Sequence, residues 1–193
     1  MKSVVIFCGS SEGNDAIYGE MAKELGSTLA KNKLVTVYGG SKLGLMGKVA
    51  QGALENNGKV IGVIPEFLKT REIVHTGISE IRTTQNMHER KLLMNELSDA
   101  VIALPGGFGT MEELFEIVTW GQLGLHQKPI GILNINGFYN DMIALFNGMV
   151  AKGFLKQENY DLLLIDETID GLLTKMKNYQ PVIVPKWIKK EQT

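Results

Sequence analysis

Short apolar runs that alternate with longer segments of helical period, two of those runs apolar at every position, and glycine-rich turns where runs end together predict an α/β fold. The architecture they imply is a Rossmann-like, doubly wound parallel sheet with helices on both faces, three layers in all. The first run, Ser3–Cys8, empties into Gly9-Ser10-Ser11. A helical segment at Asp15–Lys31 follows, then a strand at Leu34–Tyr38, a helix at Gly44–Asn56 and a strand at Val60–Ile64. That order is the βαβ pattern of parallel strands joined by crossover helices. It continues through a strand at Ile78–Thr83, a helix at Met87–Leu97 and a strand at Ala100–Leu104. A helix from Met111 to about Leu123, a strand at Pro129–Leu133, a helix at Tyr139–Lys152, a strand near Leu162–Ile165 and a short helix complete it. Val4–Phe7 and Ala100–Leu104 do not alternate with polar residues, so both are expected to be central, covered on two faces. The stretch Glu66–Gly77 reads as an irregular loop, and residues 186–193 as a frayed polar tail. With 193 residues, 44% of them hydrophobic, the chain can bury one good core, and a single domain over 1–193 is expected.

A formal net charge of -1 gives no electrostatic reason to expect nucleic acid or an acidic membrane as partner, so an anionic ligand has to be met locally. No apolar stretch reaches membrane-spanning length. The single cysteine, Cys8, cannot form an internal disulfide, and the three histidines are too scattered to join it as zinc ligands. A reducing, cytoplasmic setting and a site without metal are the expectation.

Three glycine turns fall at strand C-termini, where ligands of such sheets bind: Gly9-Ser10-Ser11, Gly39-Gly40-Ser41 and Pro105-Gly106-Gly107. The third leads through Phe108, Gly109 and Thr110 directly into a helix, whose N-terminal amides and dipole favour an anion such as phosphate. A flexible turn that binds nothing is the plainer reading of the same residues. Thr110 and Glu113 have capping-box spacing, which would satisfy helix amides without any chemistry. A carboxylate there could equally reach a sugar or a water beside the phosphate. Asn86 and Glu89 form a second candidate cap, opening a helix with Arg90-Lys91 in its first turn. Adjacent helical residues diverge by about 100°, so at most one of the two cations is expected to face the crevice. Gly39–Lys48 is not a P-loop, because Lys42 stands where its first glycine should be and Val49 replaces Ser or Thr. The first turn also lacks the dinucleotide fingerprint. The helix carrying Leu114, Phe115, Ile117, Val118, Trp120, Leu123 and Leu125 is apolar around much of its circumference, as in a buried core helix or one that also meets a partner subunit.

These segments resemble the LOG ("lonely guy") family, the cytokinin riboside 5'-monophosphate phosphoribohydrolases. The family pattern P-G-G-x-G-T-x-x-E is matched in full at Pro105–Glu113. The likeness extends to Cys8-Gly9-Ser10-Ser11, the G-G-x-x-x-G-x-M-G element at Gly39–Gly47, Met87–Lys91, and Thr119-Trp120 with Gln122-Leu123-Gly124. The resemblance implies a homodimeric Rossmann-like enzyme that cleaves the N-glycosidic bond of a nucleoside 5'-monophosphate, a cytokinin nucleotide or AMP, without cofactor or metal. It also implies that Arg90 and Glu113 form the catalytic pair. Lys91, Gly106, Gly107, Gly109, Thr110 and Glu112 would line the nucleotide site, with Glu72 and Thr119 as further contacts. Ser10, Gly40, Phe108 and Met111, from the same segments, complete the candidate binding set. The alternative is a carrier of a nucleotide or of molybdenum cofactor that holds its ligand without cleaving it.

Overall fold

The computed structural model describes residues 1–69 and 74–181. Among these, seven strands form one sheet: β1 (Ser3–Phe7), β2 (Val35–Tyr38), β3 (Val60–Pro65), β4 (Glu80–Thr84), β5 (Ala100–Ala103), β6 (Ile130–Leu133) and β7 (Leu163–Asp166). Their order is β4-β3-β2-β1-β5-β6-β7, and every neighbouring pair is parallel. The helices between them are α1 (Ala16–Lys31), α2 (Gly44–Glu55), α3 (Met87–Glu96), α4 (Phe108–Gln122), α5 (Asn140–Ala151), the single turn α6 (Gln157–Tyr160) and α7 (Ile169–Lys177).

Strand periodicity builds the three layers. In β1 and the residue after it, Val4, Ile6 and Cys8 face a core shared with α1, α2 and α7. Val5 and Phe7 face a second core with α3, α4 and α5. Both β1 and β5 are buried on both sides, as their unbroken apolar runs predict, and each such side chain contributes roughly 1.5–3 kcal/mol on leaving water. The chain winds outward from β1 through β2 and β3 to β4, then resumes at β5 on the other side of β1. That reversal leaves a crevice beyond the C-terminal ends of β1 and β5. The first and third glycine turns stand there, joined by the Gly9 amide donating to the Pro105 carbonyl at 3.0 Å.

Two elements differ from the sequence reading. Helix α4 starts at Phe108 rather than Met111, because Gly107 is extended (φ -93°, ψ -156°) and the first helical hydrogen bond runs from the Met111 amide to the Gly107 carbonyl. The expected loop at Glu66–Gly77 opens with a 3₁₀ turn over Glu66–Leu68, and Val74 forms an isolated bridge with Ser41. Glu72 and the expected tail at 186–193 lie outside the described residues. No helix among those described is long and apolar enough to cross a membrane.

Candidate active site

Helix α3 supplies the cation of the site. Asn86 caps it, accepting from the Glu89 amide at 2.9 Å, while the Glu89 carboxylate returns to the Gln85 amide at 2.9 Å. The helix start is thereby fixed, and with it the direction of Arg90, which is 7% exposed. Its Nε donates to the Val63 carbonyl at 3.1 Å and its Nη2 to the Gly39 carbonyl at 3.3 Å. Two backbone carbonyls, one inside β3 and one just past β2, thus orient a buried guanidinium, the fixed fork that Arg offers and Lys does not. Nη1 remains directed at Glu113, 3.8 Å from its Oε1, with that carboxylate's side chain 12% exposed. Partial burial of both partners makes this pair stronger than one in open solvent.

The neighbouring cation goes elsewhere. Lys91 Nζ sits 2.5 Å from Glu112 Oε1 and 3.0 Å from Glu116 Oε1, tying α3 to α4. Burial alone would lower its pKa, but the hydrogen bonds it donates to the two carboxylates, with their charge, outweigh that and leave it raised.

The N-terminus of α4 is open. Gly107 provides no side-chain cap, so amides that lack intrahelical partners by the geometry of any helix start face the crevice. Thr110 is an interior residue of the first turn, with Gly107 at the cap position, so of the two readings of Thr110 and Glu113 the capping box is not the one that forms. Its hydroxyl packs against Gly106, where a Cβ would collide with it. One turn on, Glu113 projects back over the same opening.

A cavity of about 300 Å³ gathers these groups. Of the sequence candidates, Ser10, Arg90, Gly107, Phe108, Gly109, Thr110, Glu112 and Glu113 line it. Phe108 stands at the rim, 96% exposed. Gly106 lines an adjoining cavity of about 340 Å³ that shares Gly9, Ser10 and Gly107 with the first, and whose outer wall includes Tyr18 and Phe138. Met111 packs against the α3–α5 side core. Gly40 (φ +83°) lies against β3 and accepts from the His75 amide at 3.0 Å, outside the cavity lining. Thr119 is on the distant face of α4, its hydroxyl donating to the Phe115 carbonyl at 2.7 Å. Gly9, Gly39, Met46 and Met87 line the cavity and were absent from the candidates. The signal for Gly39 was the G-G pair itself, but only the strand's end geometry decides which of two adjacent glycines faces the ligand side.

Cys8 is also in the cavity wall, but burial, with the charge of Glu113 as a second cause, pushes its thiol far above the ordinary range. It is a poor nucleophile there. Among the described residues, no three His, Cys, Asp or Glu side chains gather as a metal site would require.

Solved structures share this frame. The molybdenum cofactor binding protein of Rippkaea orientalis superposes with a TM-score of 0.70 at 22% identity, over 92% of this chain and 97% of that one. The Moco carrier protein of Chlamydomonas reinhardtii gives 0.69 at 20% identity, over 91% and 95%. At such identities the likeness is one of fold. Fold and site together define a doubly wound α/β protein with an uncapped helix start and an Arg–Glu pair at the topological switch. A family model described as possible lysine decarboxylase matches residues 46–176. A probable cytokinin riboside 5'-monophosphate phosphoribohydrolase of Oryza sativa subsp. japonica is 46% identical over 176 residues, 91% of this chain and 79% of that relative. A cytokinin riboside 5'-monophosphate phosphoribohydrolase of Arabidopsis thaliana is 42% identical over 180 residues, 93% and 84%. The chain belongs to this cytokinin riboside 5'-monophosphate phosphoribohydrolase family.

Proposed function

We propose that the chain hydrolyses the N-glycosidic bond of a nucleoside 5'-monophosphate, a cytokinin riboside 5'-monophosphate or AMP, giving the free base and ribose 5-phosphate. The observation that carries this reading is the Arg90–Glu113 pair closing the same cavity onto which the uncapped start of α4 opens. The 5'-phosphate is held by the amides of the Gly106–Thr110 turn, with Ser10 across the crevice. Binding energy is then drawn from a group remote from the reacting carbon. As the bond between C1′ and the base breaks, the base leaves with the bonding electron pair and positive charge grows on the sugar. The Glu113 carboxylate stabilises that charge and orients the water whose oxygen bonds to C1′; a proton from that water ends on the base. Arg90 positions Glu113 and meets the departing base. Phe108 covers the ligand from the rim, and Met46 and Met87 give the cavity apolar wall.

Glu72 is carried in this proposal as a substrate contact by resemblance, with Gly40, Lys91, Met111 and Thr119 as supporting positions of the turns and helices. The decarboxylase description of the family model finds no support in the cavity. Pyridoxal phosphate chemistry requires a lysine for its Schiff base, and no lysine is among the cavity's described lining residues.

A homodimer is also proposed, with a second copy covering the α4–α5 face. Phe115, Leu145 and Phe154 are exposed there, beside a groove lined by Leu114, Phe146 and Tyr160. A patch of this kind marks an interaction surface. The proposal includes a cytoplasmic setting and residues 1–193 as one functional unit.

The test is chromatographic product analysis after incubation with AMP and, separately, isopentenyladenosine monophosphate, with Glu113→Gln alongside. Release of base and ribose 5-phosphate, reduced on the order of 10²–10³-fold in the variant, is the expected result. Intact nucleotides that bind without turnover would turn the assignment to a carrier.

A further inference from the structure

The reaction as proposed uses Met46 of the G-G-x-x-x-G-x-M-G element at Gly39–Gly47 only as cavity wall and gives Gly39 no task of its own. The element's atoms nevertheless converge on the site from two directions. At one end, the Leu45 amide lies 3.1 Å from the Gly9 carbonyl and 3.3 Å from that of Ser11. Gly44 (φ +58°) is pressed on the Ser10 backbone with no room for a Cβ. At the other end, Gly39 accepts from Arg90 Nη2 at 3.3 Å. A Cβ on Gly39 would run into that same Nη2 and stand 2.8 Å from Met46 Sδ. Arg90, Met46 and Gly39 all line the cavity.

We infer that Gly39 is a positioning residue for Arg90. Its carbonyl and its lack of a side chain together set where the guanidinium stands opposite Glu113. The Val63 carbonyl fixes only Nε, which leaves rotation of the fork to be decided at Gly39. Chemistry explains why the position is sensitive while the fold around it is not. Gly39 is not among the glycines of positive φ, so an L residue is compatible with its backbone. The two atoms nearest an added methyl group belong to flexible side chains, so the groups that must move are the guanidinium, which meets the closer contact, and the Met46 thioether. The inference rests on the proposed reading, in which Arg90 acts on the nucleotide.

A double-mutant cycle tests it: the unaltered protein, Gly39→Ala, Arg90→Ala and the double variant, compared by base release from AMP and by thermal melting. Gly39→Ala is expected to lower kcat/KM on the order of 10²-fold, the effect of displacing a reacting group by about 1 Å. Its Tm should stay within about 2 °C of the unaltered protein. In the Arg90→Ala background the same substitution should change kcat/KM by less than about twofold, because the group it displaces is gone. Equal losses in both backgrounds, no loss in the single variant, or a collapsed melting transition in Gly39→Ala would each overturn the inference. If the unaltered protein releases no base, the phosphoribohydrolase reading fails instead. The cycle is then read on AMP dissociation constants, where coupling between positions 39 and 90 upholds the positioning role and additivity rejects it.

Discussion

The two helices that supply the site begin in opposite ways. Helix α3 starts under a closed cap, with Asn86 accepting from the Glu89 amide and the Glu89 carboxylate accepting from the Gln85 amide. Helix α4 starts bare at Gly107. Both sequences offer the same spacing, a polar residue followed three positions later by Glu, so the spacing does not decide the matter. A helix start that spends its amides on its own side chains is stable and has none left for a ligand. One that leaves them open carries the cost of unsatisfied donors until an anion arrives. The capped helix holds Arg90 in place, and the open one is where the proposed reaction puts the phosphate.

Closing the open end is the substitution with the largest expected effect. Gly107 has an extended backbone, and a Cβ added to it would meet nothing within 4 Å, so Asp or Ser can be installed without strain. Gly107→Asp should raise the nucleotide KM at least about tenfold, since its carboxylate takes the amides and repels phosphate; each charge-assisted bond lost is worth about 1.5–3 kcal/mol. Gly107→Ser, a neutral cap, should raise KM less. Neither should lower Tm, because Gly and the capping residues differ by only a few tenths of a kcal/mol at this position. Steady-state kinetics and melting on the same preparations check this, and an unchanged KM in Gly107→Asp would remove the α4 amides from the phosphate site.

Opening the closed end should act on stability instead. Asn86→Ala leaves the Glu89 amide without its acceptor and should cost about 1 kcal/mol, roughly 2–4 °C in Tm for a chain of this size. The nucleotide KM should stay near its starting value, because Arg90 is held independently by the Val63 and Gly39 carbonyls. Should KM rise as far as in Gly107→Asp, the division of labour between the two helix starts is wrong.

Much of this was legible before the structure. Unbroken apolar runs placed β1 and β5 at the centre, and two glycine turns after them marked the switch point. The Asn86–Glu89 cap was readable because the residue before the helix has one good capping choice. The start of α4 was read three residues late because glycines tolerate either an extended or a helical start, and only the extended conformation of Gly107 moves the first turn back to Phe108. The divergence of Arg90 and Lys91 predicted that at most one of the two cations would face the crevice. What the sequence could not show is that Lys91 would be buried between Glu112 and Glu116, since that depends on the approach of α4 to α3. Gly39 escaped for a similar reason: its contact with Arg90 joins residues 51 positions apart, and no local pattern records it.

The smallest effect is expected at the other end of α4. Just past that end, His126 folds back onto the helix. Its Nε2 lies 2.7 Å from the Ile117 carbonyl and its Nδ1 accepts from the Lys128 amide at 3.1 Å. Those partners require a neutral ring protonated on Nε2. A helix C-terminus would favour a cation, but burial is the larger influence here and holds the imidazole below its ordinary value of 6.5, against the pull of the Ile117 carbonyl. The unfolded chain therefore takes up a proton that the folded chain resists. The stability contributed by neutral His126 is present in full above pH 6.5 and is lost as the pH falls from there through the lower folded value. Melting between about pH 7.5 and 5.5 should show a larger drop in Tm for the unaltered protein than for His126→Gln, which keeps polar partners and cannot titrate. Parallel curves for the two proteins would mean that the ring is protonated as readily in the folded state as in the unfolded chain, and that His126 is not held neutral against α4.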